Sequence, residues 1–152
     1  MREIKFRVWN KEKKRFEDGQ SAISLNGEIL WYSHNGFKFN NDFIVCQFTG
    51  LKDKNGVEIY EGDIIKGDFP INTWENGKII DIFSREGLIA KIEYGLGGYV
   101  LDFINLKKPD WIDRSSSSLM RFVYAACYFE VIGNIYENSE LLEENFNEPI
   151  SK

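Results

Sequence analysis

The chain holds 152 residues, 43% hydrophobic and 28% charged, with 19 basic and 24 acidic side chains and a net charge of −5. That length suits one domain or two small ones sharing a core; the composition excludes a disordered chain, and the acidic balance opposes a role built on gripping duplex phosphate. No stretch reaches the roughly 18 apolar residues of a membrane span, residues 1–5 lack the apolar run of a signal peptide, and Cys46 and Cys127 make neither a disulfide framework nor a metal pattern, so a reducing cytoplasm is the expected compartment.

Aromatic residues make up 15% of the chain, and apolar residues recur mostly with period two, the strand signature. Ile4, Phe6 and Val8 alternate with Lys5, Arg7 and Trp9. The polar run 10–15 reads as a turn before Phe16. Residues 24–33 and 37–49 read as further strands, with a turn at His34-Asn35-Gly36. Asn26-Gly27 and Asn55-Gly56 are favoured two-residue turn pairs because both positions tolerate positive φ. Residues 50–56 therefore read as a tight connection ending in a hairpin turn.

Four strands are predicted next: 63–66, 78–84 after a loop over 67–77, 88–94 after the turn Arg85-Glu86-Gly87, and 99–104 after Gly95-Leu96-Gly97-Gly98. This spacing with glycine turns suggests a small antiparallel barrel or sandwich. The pattern lapses over 105–118, a loop with Trp111 and four consecutive serines. A closing strand is expected over 122–136, broken near Gly133. The one predicted helix runs over 138–147, with Asn138 as N-cap, acidic Glu140 in the first turn, and an apolar stripe of Leu141, Leu142 and Phe146.

Three blocks carry a family resemblance. They are Ile4-Lys5-Phe6-Arg7-Val8-Trp9; residues 47–65, with Thr49-Gly50-Leu51-Lys52-Asp53 and Glu61-Gly62-Asp63-Ile64-Ile65; and residues 129–142, with Val131-Ile132-Gly133-Asn134-Ile135-Tyr136. In order and spacing they resemble the YopX family of phage and prophage proteins. Members often carry proline where this chain has Ser139; serine gives up the fixed φ of a first helical position without forbidding the helix. The resemblance implies a phage-derived cytoplasmic protein that self-associates. It implies no activity and brings no catalytic residues.

The chemistry-bearing residues read as structural. His34, the only histidine, sits at a predicted turn without a partner. Cys46 and Cys127 lie in apolar runs with no basic neighbourhood to activate a thiol. Residues 95–98 lack the lysine and following helix of a phosphate loop. Glu58, Glu61 and Asp63 form the most site-like group, since paired carboxylates serve acid/base chemistry or bind cations. The preferred reading is that Asp63 accepts bonds from turn N–H groups while Gly62 takes a positive φ. No catalytic residue, metal or cofactor is expected.

Charge divides between the ends: residues 1–16 carry seven basic and two acidic side chains, residues 137–152 five acidic and one basic. The two ends are candidates to meet within or between copies. The basic end, with Trp9 and Phe16, also resembles a single-strand nucleic-acid binder. Phe69 and Trp74 in the predicted loop 67–77, and Trp111 in the long loop, are candidate partner contacts, together with Leu141, Leu142 and Phe146. Asn55, Gly56, Gly62 and Asp63 are candidate structural turn residues. The fold expected is mainly β, a β-rich α+β chain: an N-terminal β-hairpin layer over 1–58, an SH3-like barrel over 59–136, and one C-terminal helix, in a single domain. The expected role is that of a non-catalytic accessory protein working through protein contacts, as a homo-oligomer or with a phage or host protein. The alternative is a nucleic-acid-associated small barrel. No membrane association is expected.

Overall fold

The computed structural model describes residues 3–17, 21–24, 28–33, 36–39, 42–75, 78–95, 98–104 and 128–143; within these, the side chains of 33, 37–39, 69–75 and 78–86 are not described. In chain order its strands are β1 (Phe6–Asn10), β2 (Arg15–Glu17), β3 (Ser21–Ile23), β4 (Ile29–Ser33), β5 (Gly36–Phe39), β6 (Phe43–Lys52), β7 (Glu58–Tyr60), β8 (Asp63–Glu75), β9 (Lys78–Gly95), β10 (Gly98–Phe103) and β11 (Phe129–Asn134). They form an antiparallel sheet β2-β1-β6-β7, a second sheet β10-β9-β8-β11 and a three-stranded sheet β3-β4-β5. The second sheet curls into a half-barrel. Its marginal strands β10 and β11 do not pair with each other among the described residues.

One core serves the first two sheets. Ile59 of β7 packs with Ile65, Leu88, Ala90, Ile92, Tyr99 and Phe129 of the half-barrel, and Leu51 of β6 joins at the margin. β7 therefore straddles the expected boundary between residues 58 and 59: it pairs with β6 and sends Ile59 across. Asp63, Ile64 and Ile65 are buried in succession, as are Leu88, Ile89 and Ala90. Successive burial means that both faces of the sheet are covered there, whereas a solvated face would alternate. Gly67 lets β8 approach β11, because a Cβ on it would lie 2.5 Å from the Tyr128 carbonyl oxygen.

The mainly β class matches the sequence expectation, but several elements differ. The predicted loop 67–77 is strand over 67–75: β8 runs 13 residues to Glu75, so Phe69 and Trp74 are strand positions. The predicted turn Arg85-Glu86-Gly87 does not reverse the chain. β9 continues through it for 18 residues. Gly87 takes φ +66° and the β8–β9 register shifts nearby, between Gly67 and Phe69, so the glycine accommodates a bulge. The strand predicted over 24–33 is replaced by β3 and β4, paired as a hairpin with Ile23 opposite Ile29. That predicted over 37–49 is split into β5 and β6. Asn26-Gly27 and His34-Asn35 lie outside the described residues, as does 122–127 of the predicted closing strand.

The predicted C-terminal helix is, among the described residues, one 3-10 turn over Ser139–Leu142. Asn138 makes no side-chain cap bond to it. Its Oδ1 instead accepts the Asn134 N–H at 3.3 Å, a bond back toward β11. Leu141 and Leu142 are half-buried in this turn, and Phe146 lies outside the described residues.

Phe129 is fully buried where β11 meets the core. Phe129→Ala is expected to lower the unfolding free energy by about 3–5 kcal/mol, whereas Val57→Ala, at an exposed position, should stay within about 0.5 kcal/mol of wild type. Urea unfolding of both variants checks this.

Candidate functional site

Among the described residues, polar and aromatic side chains gather where β1 meets the start of the half-barrel. Arg7, opposite Cys46 in the β1–β6 register, donates through Nη2 to the Asp63 carboxylate, which is only 1% exposed. The second Asp63 oxygen accepts the Tyr60 N–H at 2.7 Å. The guanidinium carbon lies 4.4 Å from the Phe16 ring centroid and 4.8 Å from that of Tyr60, two cation–π contacts. Two residues earlier, Lys5 donates to Glu58 at 2.5 Å, and the Tyr60 hydroxyl donates to the other Glu58 oxygen at 2.8 Å. Trp9 stacks on Tyr136 at 5.4 Å, and Phe16 meets Trp9 edge-on at 5.1 Å.

Local sequence builds each part. Gly62 takes φ +82°, which lets the chain turn from β7 into β8 and aims Asp63 back at Tyr60. A Cβ on Gly62 would also press on the Tyr136 ring at 3.0 Å. Asp53 makes a second clip. Its Oδ1 accepts the N–H groups of Asn55 and Val57 at 2.8 and 2.9 Å, and its Oδ2 accepts that of Val131 at 2.9 Å. Gly56 completes that turn at φ +84°. One carboxylate therefore closes a turn and ties it to β11. Asn134 does the same past β11, accepting the N–H groups of Tyr136 and Glu137.

The electrostatics follow these contacts. Burial pushes the Asp63 carboxyl upward, against the pull of Arg7 and the Tyr60 N–H. Burial likewise raises the Cys46 thiol, whose sulfur lies 3.7 Å from the Tyr136 hydroxyl. A raised thiol is a poor nucleophile at neutral pH. Burial pushes Asp53 upward too, but its three backbone N–H donors carry it below the ordinary value of 3.8. Lys5, and then Tyr60, lower Glu58.

Of the candidate turn residues, Asn55 and Gly56 lie in the Asp53 turn, and Gly62 and Asp63 at the β7–β8 corner. The sequence reading missed Arg7 as the partner of Asp63, since the two stand 56 residues apart. It also missed Asp53, although an aspartate two residues before Asn55 is the signature of an Asx turn. Among the candidate contacts, Phe69 and Trp74 fall on β8 with side chains outside the description, and Trp111 lies outside the described residues. The basic N-terminal residues pair with Glu3, Glu17, Glu58 and Asp63 rather than with Glu137, Glu140 or Glu143, among the described residues. Among the same residues no three His, Cys, Asp or Glu side chains gather to hold a metal ion, and no helix is long and apolar enough to cross a membrane.

Residues 5–143 match the profile described as YopX protein. The chain is similar in structure to protein EF1440 from Enterococcus faecalis, at 27% sequence identity and a TM-score of 0.51, over 91% of this chain and 97% of that one. No curated protein matches it.

Removing one partner of a buried ion pair strands the other charge at a cost of about 3–5 kcal/mol, while replacing both partners costs less. Arg7→Met and Asp63→Ala are each expected to lower stability by that amount, and Arg7→Met with Asp63→Ala by less than their sum, as read from a double-mutant cycle of urea midpoints. The Asp53 clip contributes stability present above pH 3.8 and lost as pH falls through its lowered folded-state value. Between pH 6 and pH 3, Asp53→Asn should lose less stability than wild type does; an equal loss in both would remove Asp53 from the acid response.

Proposed function

The chain belongs to the YopX family, and from that premise we propose that it is a non-catalytic phage or prophage accessory protein of the bacterial cytoplasm, acting through contacts with other proteins, including copies of itself. One contrast carries this reading. Among the described residues three carboxylates are committed to holding the chain together: Asp63 to Arg7 and Tyr60, Glu58 to Lys5 and Tyr60, Asp53 to three backbone N–H groups. Large apolar groups meanwhile stand in water, with Ile4 at 66%, Phe6 at 44% and Tyr94 at 60% exposure. Exposed apolar groups of this size favour protein contacts. The same reading takes the half-barrel as the described part of an SH3-like barrel.

A nucleic-acid role has weaker support. Lys5, Arg7, Lys13 and Arg15, four of the seven basic residues in 1–16, are already engaged in internal ion pairs. Each cation so neutralised releases fewer counterions from a bound strand.

Sedimentation equilibrium over a hundredfold concentration range is expected to show a mass above that of the monomer, increasing with concentration. A constant monomer mass would remove self-association. Filter binding to single-stranded DNA at low salt should retain no label; retention would favour the nucleic-acid role.

A further inference from the structure

Beyond Gly67, β8 and β9 leave the half-barrel together. β11 pairs with β8 only from Asp63 to Gly67, and β10 with β9 only from Ala90 to Gly95. From Phe69 opposite Arg85 to Glu75 opposite Lys78, the two strands pair with each other alone among the described residues. A bulge marks the base of this ribbon, where the register shifts between Gly67 and Phe69, Gly87 takes φ +66°, and the Asp68 carboxylate accepts the Gly87 N–H at 2.9 Å. Bulges bend and re-aim a strand pair.

A two-stranded ribbon is marginal in water by itself. This one has the composition of a strand that gains by further pairing, with Phe69, Ile71, Ile79, Ile80, Ile82 and Phe83. Its two edges differ. The β8 edge carries Pro70, which has no N–H to donate and blunts a strand edge. The β9 edge over 78–86 carries no proline and is complementary to itself. With Phe83 set opposite Phe83 of an antiparallel copy, Asp81 stands opposite Arg85 at both ends of the pairing. Moving the centre two residues either way brings Asp81 onto Asp81 or Arg85 onto Arg85, so like charges oppose those registers. Within the chain Ile71 is opposite Phe83. The centred register therefore places Ile71, Phe83 and their two counterparts in one row on the same face of the pleat.

We propose that the outer edge of β9 over 78–86 is a docking surface for a second copy of this chain, joining the two ribbons into a four-stranded antiparallel sheet across a two-fold axis. The proposal rests on the self-association reading above and names its interface.

The test is sedimentation equilibrium of the full chain as wild type, Asp81→Arg, Arg85→Asp and the double swap. Within the chain Asp81 is opposite Thr73 and Arg85 opposite Phe69, so neither stands opposite a charged residue in the ribbon register. Each single substitution replaces two attractive cross-strand pairs by two repulsive ones and is expected to raise the dimer Kd by about tenfold or more. The double swap restores opposite charges and should return the Kd to that of wild type. Urea unfolding shows whether each variant is folded. Singles that weaken association without recovery in the double swap would overturn the register, and with it the proposal. Equal association of all four proteins would overturn this register, and with it the proposal, and leave self-association standing. A monomeric wild type at every concentration would overturn both readings, and is the outcome expected if residues 105–127 of the chain itself cover the edge.

Discussion

A charge of the first strand meets a carboxylate at the head of the second sheet, and the arrangement of the molecule depends on that meeting. Asp63 is almost completely buried, so its carboxylate would be costly without a cation and donors around it. Arg7 and the Tyr60 N–H supply them. Arg7 itself contacts the rings of Phe16 and Tyr60, which come from β2 and β7. One ion pair therefore sets the positions of four elements: β1, β2, β7 and the start of β8. A buried pair of this kind need not add net stability over apolar side chains of the same size. It contributes more clearly through the penalty on arrangements that separate the partners.

The two sheets then share a core instead of packing as separate layers. Ile59 crosses from β7 into the half-barrel, and the Asp53 carboxylate ties the turn before β7 to β11. Polar side chains in these corners satisfy backbone N–H groups that no ladder reaches, as a buried corner requires. Among the described residues Asp53, Glu58 and Asp63 each bond groups on other strands or turns, while Ile4, Phe6 and Tyr94 are exposed.

Much of this was legible from local pattern. Alternation identifies the strands around Arg7 and Tyr99, the glycines at 56 and 62 mark turns with positive φ, and Asp63 beside Gly62 reads as a turn acceptor. The elements that differ do so where a local signal has two outcomes. Gly87 marks either a reversal or a bulge, and pairing with β8 selects the bulge. The polar and proline-bearing stretch around Pro70 resembles a loop, yet proline is tolerated at a strand edge and the stretch pairs along its length. Asn138 can cap a helix or bond backward, and here it bonds to Asn134.

By itself the sequence determined the strand class, the family and the turns at Asn55-Gly56 and Gly62, because period-two patterning and glycine conformational freedom act over a few residues. Only the tertiary structure decided that Arg7 serves Asp63 across 56 residues, that Asp53 reaches Val131 across 78, and that β8 and β9 run on as one long ribbon. Those outcomes depend on which distant strand lies alongside, and desolvation in the shared core, not any local preference, makes each partner necessary.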